Sequence, residues 1–291
     1  MRWTPGGTSE DIEDRRDASG SVGGGGGFGG GLRLGLGGTV VVLLLSFIFG
    51  TDFFALLSGG GPAEVAPAPR SAPNPARTAK EQTTVQFVSF VLDDVQRTWD
   101  RILPEQANRP YRHSKLVLFR DAYPSACGHA DSATGPFFCP GDEKVYIDLS
   151  FFDELKNRFG ASGEFAQAYV LAHEIGHHVQ KVLGIEAKVR QLQSRNPGAA
   201  NNLSVRLELQ ADCFAGVWGH STAQRKIIDE RDIEDGLRAA AAVGDDHIQK
   251  MSNRRVSPES FTHGSSAQRT EWFRRGLSSG NVQACNTFES R

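Results

Sequence analysis

From Leu34 to Thr51 the chain runs for 18 residues without a charge, LGLGGTVVVLLLSFIFGT. After Asp52 the apolar run resumes as Phe53-Phe54-Ala55-Leu56-Leu57. A run of this kind must be buried in a core or in a bilayer, and about 17–25 residues cross the hydrocarbon. Its flanks decide between the two. Of the 33 glycines, 18 fall in the first 61 residues, and five of the 13 prolines lie between Pro62 and Pro75. Core helices are seldom set between stretches with so little to pack. The expectation is a disordered Gly-rich tail over 1–33, one transmembrane anchor over 34–57, a Pro/Ala-rich linker over 58–80 and a domain over 81–291. A cleaved signal peptide fits less well: its charged leader would exceed 30 residues, and Pro69 follows Ala66-Pro67-Ala68.

Arg15, Arg16 and Arg33 precede the apolar run, and Arg70 is the first basic residue after it. Positive charge favours the cytoplasmic side. The expected location is therefore the cell membrane, single-pass, with the domain outside the cytoplasm. With 32 basic and 34 acidic residues the chain is formally −2, so no nucleic-acid partner is expected. The four cysteines are Cys127, Cys139, Cys213 and Cys285, and no C-x-x-C pair is present. A four-cysteine zinc site is thereby disfavoured. An even count outside the cytoplasm points to two disulfides, of which three pairings are possible.

The domain reads as α+β, predominantly helical with a small β-sheet. Apolar spacing predicts a helix over Gln82–Leu103, stopped by Pro104. Strands are expected at Lys115–Phe119 and Lys144–Leu149. Further helices follow: Ser150–Phe159, Ser162 or Gly163 to Leu183 with Gly184 ending it, Leu203–Trp218, Ile233–Met251 and Ala267–Arg275.

The second of these carries His173-Glu174-Ile175-Gly176-His177. Residues four apart share one helical face, so both imidazoles can address one metal ion. Glu174, about 100° round the helix, would reach a water beside the metal rather than the metal itself. Peptide hydrolysis with Zn2+ needs this arrangement: the metal acidifies water and polarises a carbonyl, and the carboxylate moves the proton. A third ligand must come from downstream, since Gln180 and Leu183 stand where an extended motif would need Gly and His. Glu208 and Asp212 are four apart in an apolar stretch. Glu208 can complete a His₂Glu set, and Asp212 can accept a hydrogen bond from the far nitrogen of a ligating histidine. Gly176 is unfavourable inside a helix by about 1 kcal/mol, which a close helix–helix approach would explain.

With H-E-x-x-H followed by E-x-x-x-D, the chain resembles the gluzincin class of zinc metallopeptidases. GPFFCP, VYIDLSFF, AHEIGHHVQ, ELQADCFAG and ESFTHGSSAQR together resemble the bacterial putative neutral zinc metallopeptidase family over most of 81–291. The resemblance implies a zincin-like fold with His173, His177 and Glu208 as metal ligands, Glu174 as general base and a peptide or protein substrate. It also implies the pairings Cys127–Cys139 and Cys213–Cys285. Gluzincins commonly supply an oxyanion donor from a downstream His or Tyr, and His263, in a tight turn before a helix, is the first candidate. Tyr123, Tyr146 and His247 are the others. His178 points away from the motif and reads as structural. The strand Val145–Leu149 could present its edge to an extended substrate. The same ligands would serve a non-catalytic, zinc-stabilised binding module of the envelope, but such a module has no need of Glu174.

Overall fold

A computed structural model describes residues 1–17, 75–131, 135–161 and 163–289. The expected anchor over 34–57 lies outside these residues. Among the described residues no helix is long and apolar enough to cross a membrane.

The order of elements is β1 (Ile12–Asp14), α1 (Pro75–Ala107), β2 (Lys115–Phe119), β3 (Ala122–Ser125), β4 (Gly128–Asp131), β5 (Phe137–Cys139) and β6 (Lys144–Asp148). Eight helices in all are described, and seven of them follow the strands: α2 (Ser150–Asn157), α3 (Glu164–Leu183), α4 (Ile185–Arg195), α5 (Ala200–Gln224), α6 (Glu230–Ala242), α7 (Asp245–Met251) and α8 (Ser266–Ser279). The α+β expectation holds, with helices dominant.

One sheet has the order β1-β2-β6-β5. β1, β2 and β6 run parallel, and β5 is antiparallel to β6. Strand alternation sends Leu116, Leu118, Val145 and Ile147 into the large helical core with Leu92, Trp99 and Phe165. Val117, Phe119 and Tyr146 face the opposite way, into a small cluster with Ala130 and Cys139. The hairpin β3–β4 covers that side, and Cys127–Cys139 ties its turn to β5. The second disulfide, Cys213–Cys285, joins α5 to the short turn after α8. Both pairings agree with those implied by the resemblance.

Several expected boundaries shift. Pro104 does not stop α1, which runs one further turn to Ala107; a proline near a helix end costs only one backbone bond. α1 also starts at Pro75, inside the expected linker. Ile233–Met251 is two helices, not one, because the chain breaks at Val243-Gly244. A side chain at Gly244 would collide with the Ser266 backbone, so only glycine lets α8 begin there. The strand Lys144–Asp148 has no free edge, being paired with β2 on one side and β5 on the other.

The largest correction concerns the tail. Residues 1–17 are part of the folded body. β1 pairs in register with β2, and the Leu116 N–H donates to the Asp11 carbonyl at 2.8 Å. Trp3 packs edge-on against Phe87 at 5.3 Å. Charged groups help to dock it: Lys115 meets Asp11 at 2.7 Å and Lys144 meets Glu13 at 2.7 Å. Their partners lie over a hundred residues away, beyond the reach of local composition. Asp17 and Pro75 thus both belong to one body. A tail on one side of a membrane and a domain on the other, joined by one crossing between them, cannot coexist with a paired β1.

The register supplies a test. Glu13→Cys with Val117→Cys, introduced into the full chain, is expected to form an intrachain disulfide under mild oxidant. It would be read as a reductant-sensitive mobility shift. Its absence would mean that β1 is not docked.

Candidate metal centre

The helix α3 is buried over most of its length, with Gly163 before it and Gly184 after it. Gly184 has φ 72°, the left-handed conformation that ends helices. His173 and His177 stand one turn apart on the same face, their ring centroids 4.8 Å apart. Glu208 reaches them from α5. Its two oxygens lie 3.2 Å from His173 Nε2 and 3.6 Å from His177 Nε2. The three donor atoms fall within 4.8 Å of one another. Ligand atoms about 2.0–2.1 Å from a tetrahedral ion are about 3.3 Å apart, so this donor set fits one zinc ion. Gly176 makes the approach possible. A Cβ there would sit 3.0 Å from the Ala211 carbonyl oxygen, so the backbones of α3 and α5 nearly touch beneath the histidines.

The next layer fixes which imidazole nitrogen is free. Asp212 has no exposed surface, and its Oδ1 lies 2.8 Å from His173 Nδ1. The same oxygen accepts from the Tyr169 hydroxyl, and Arg269 donates to both carboxylate oxygens at 2.8 Å. Burial alone would raise the Asp212 carboxyl, but Arg269 and His173 hold it below its ordinary value. An ionised carboxylate only accepts, so Nδ1 carries a proton and Nε2, whose own proton faces Glu208 in the absence of a metal, is the nitrogen left for coordination. Gln180 does the same for His177. Its amide nitrogen donates to the Leu207 carbonyl at 2.7 Å, which leaves its oxygen 2.9 Å from His177 Nδ1. Burial disfavours charge on His173, yet Asp212 and Glu208 carry its pKa up to about 9 without a metal. A metal would therefore displace a proton on binding.

Glu174 is buried beside the histidines, and burial raises its carboxyl while His173 and His177 oppose the rise. His263 lines the same cleft. It is held by Asp245, whose Oδ2 accepts the backbone N–H groups of Thr262, His263 and Gly264 at 2.8, 2.7 and 3.0 Å. The other oxygen lies 3.1 Å from His263 Nδ1. Nε2 is the nitrogen left over.

Asp245, Tyr169, Gln180 and Arg269 went unrecognised in the sequence. Asp245 could have been found, because Gly-Asp-Asp is a helix-start signal inside an apparently continuous helix. The other three carry no local signal. Tyr123, Tyr146 and His247 do not line the cleft, and the Tyr146 hydroxyl is engaged by Asp142 at 2.7 Å. His178 is structural, as expected: its Nε2 meets the Arg112 carbonyl at 2.7 Å and its ring packs on Tyr111 and Phe138.

The cleft has a volume of about 340 Å³. Phe137 and Phe138 of β5, with Phe151 and Phe159, give the cleft an apolar lining, to which α4 adds Glu186 and Arg190. Among the described residues β5 pairs with β6 alone, so the sheet edge beside the cleft belongs to β5 rather than to the expected Val145–Leu149, and the Phe138 backbone N–H faces the Glu174 carboxylate.

The family described as Putative neutral zinc metallopeptidase matches residues 1–288. A relative in Escherichia coli (strain K12), uncharacterized protein YpfJ, is 47% identical over 295 residues, 99% of each chain. Another in Mycobacterium tuberculosis (strain ATCC 25618 / H37Rv), uncharacterized protein Rv2575, is 43% identical over 209 residues, 68% of each chain. No solved structure matches the chain.

If the three donors hold a metal, zinc at 100 times its dissociation constant should stabilise the full chain by about 2.7 kcal/mol. A thermal scan with and without chelator is expected to show the shift in the wild-type chain. Glu208→Ala should abolish it.

Proposed function

The chain belongs to the putative neutral zinc metallopeptidase family, and from that premise we propose that it is a zinc-dependent peptidase with Glu174 as general base. His173, His177 and Glu208 would hold the ion. The observation that carries the reading is the convergence of three protein donors on a cleft that also holds Glu174 and the strand residues Phe137 and Phe138. A purely structural zinc site is closed by four protein ligands and has no use for a buried carboxyl beside it. A bound zinc ion supplies a Lewis acid that polarises the scissile carbonyl and makes water a nucleophile near neutral pH.

The remaining chemistry falls to the chain itself. The edge of β5 pairs with an extended substrate, and the phenylalanine lining excludes water from it. Glu174 takes the proton of the attacking water. Its raised pKa suits the second half of the task, in which it passes that proton to the departing amine. Burial disfavours charge on His263, but Glu208 and Asp245 raise its pKa, and the charged ring, with Asp245 at Nδ1, donates from Nε2 to the substrate oxygen as negative charge develops there. Asp212 and Gln180 keep the two histidine ligands in the tautomer that coordination requires.

Two disulfides suggest that the domain works outside the cytoplasm. Membrane attachment through 34–57, with both flanks on the domain's side, is part of the same proposal.

Zinc-loaded full chain is expected to cleave a fluorogenic peptide library. Glu174→Gln should retain zinc yet lose about 10²–10⁴ in rate. His263→Ala should lose about 10²–10³ in kcat with KM little changed. Cleavage by Glu174→Gln at the wild-type rate would refute the assignment.

A further inference from the structure

Arg269 is 4% exposed and stands on α8, far along the chain from the histidine motif. Every nitrogen of its guanidinium is engaged. Nε donates to Asp212 Oδ2 at 2.8 Å, and Nη2 to Asp212 Oδ1 at 2.8 Å and to the Tyr169 hydroxyl at 3.3 Å. Nη1 turns the other way and donates to the Val243 carbonyl at 3.0 Å. These contacts reach two sides of the cleft. Asp212 holds His173 on α3. Val243 closes α6 and leads through Gly244 to Asp245, the carboxylate that holds the His263 turn.

We propose that Arg269 is a positioning residue that sets His173 and His263 at a fixed separation, by joining Asp212 and the Val243–Asp245 turn through one planar group. The inference rests on the roles given above to those two histidines. Arginine suits the task because its donors lie on three nitrogens of a rigid plane, whereas lysine carries all its donors on one nitrogen and cannot span Asp212 and the Val243 carbonyl together. Nor is Arg269 needed to hold α8 in place. A methyl on Gly216 or Gly276 would collide with the backbone of the opposite helix, so α5 and α8 are already in direct contact. Cys213–Cys285 ties the same region covalently, one residue from Asp212. A buried charge is costly, and an apolar residue of similar volume would pack α8 without that cost. The guanidinium is therefore better explained by what it joins than by the stability it adds.

The test uses the full chain with Arg269→Lys and Arg269→Gln, alone and combined with His263→Ala. Zinc affinity, by competition with a chromophoric chelator, is expected to fall about 10–100-fold, and the visible spectrum of the Co2+-loaded chain should change. With labelled casein as substrate, kcat should fall more than KM. In the double variants the combined loss in kcat should fall short of the full product of the two, because removing His263 makes its position irrelevant and leaves only the His173 part. Unchanged zinc affinity and Co2+ spectrum would overturn the proposal, as would losses that multiply in full. Failure of both single variants to fold would assign Arg269 to stability alone and overturn it equally. If the wild-type chain binds zinc but cleaves nothing, the peptidase reading fails, while the metal measurements still judge the His173 side of the link.

Discussion

The contact between Gly176 of α3 and Ala211 of α5 sets the terms for everything around it. A helix bearing two histidines can offer two ligands but not a third, since its other faces are packed in the core. The third has to come from a second helix at short range. An ordinary side chain at the crossing would hold the axes apart and carry Glu208 out of reach. The penalty of glycine within a helix, about 1 kcal/mol, is offset by the site that the close crossing creates. The acidic pair on α5 is used on the same basis: Glu208 meets both histidines, and Asp212, one turn on, meets the back of His173.

Close packing brings a second problem, the burial of charge. Asp212 is wholly enclosed, and an unpaired carboxylate there would protonate or destabilise the fold. Tyr169, His173 and Arg269 together satisfy both of its oxygens. The site is consequently assembled from α3, α5 and α8, with α7 supplying Asp245. It cannot form until the C-terminal quarter of the chain has packed.

The sheet divides the labour between its edges. β1 covers one edge with residues from the start of the chain, and β5 forms the other beside the cleft. The disulfide at Cys139 steadies that short edge strand, which among the described residues has a partner on one side only. Much of this frame was legible. β2 has the predicted bounds, α3 begins after Gly163 and ends before Gly184, and the α8 cap at Ser265 lies within two residues of the predicted start. These features depend on periodicity and local capping, which a sequence displays directly. β1, β3, β4 and β5 were missed because strands of three or four residues show no alternation to read, and their stability comes from neighbours.

By itself the sequence determined the chemistry on offer. Two histidines and a glutamate at helical spacing, followed by a carboxylate pair at the same spacing, need no tertiary information to be recognised, since a helix places residues i and i+4 together wherever it forms. The even cysteine count belongs to the same class. Tertiary structure decided which groups those residues meet. It docked the first seventeen residues on the body with Ile12–Asp14 as an edge strand, closed both edges of the strand expected to bind substrate, broke one expected helix to make the His263 turn, and sent Arg269 beneath the histidines. The physical reason is common to all four. Each is a pairing between positions far apart in the chain, governed by which surfaces can approach closely and which buried charges must be satisfied, and neither condition is written in any local stretch of residues.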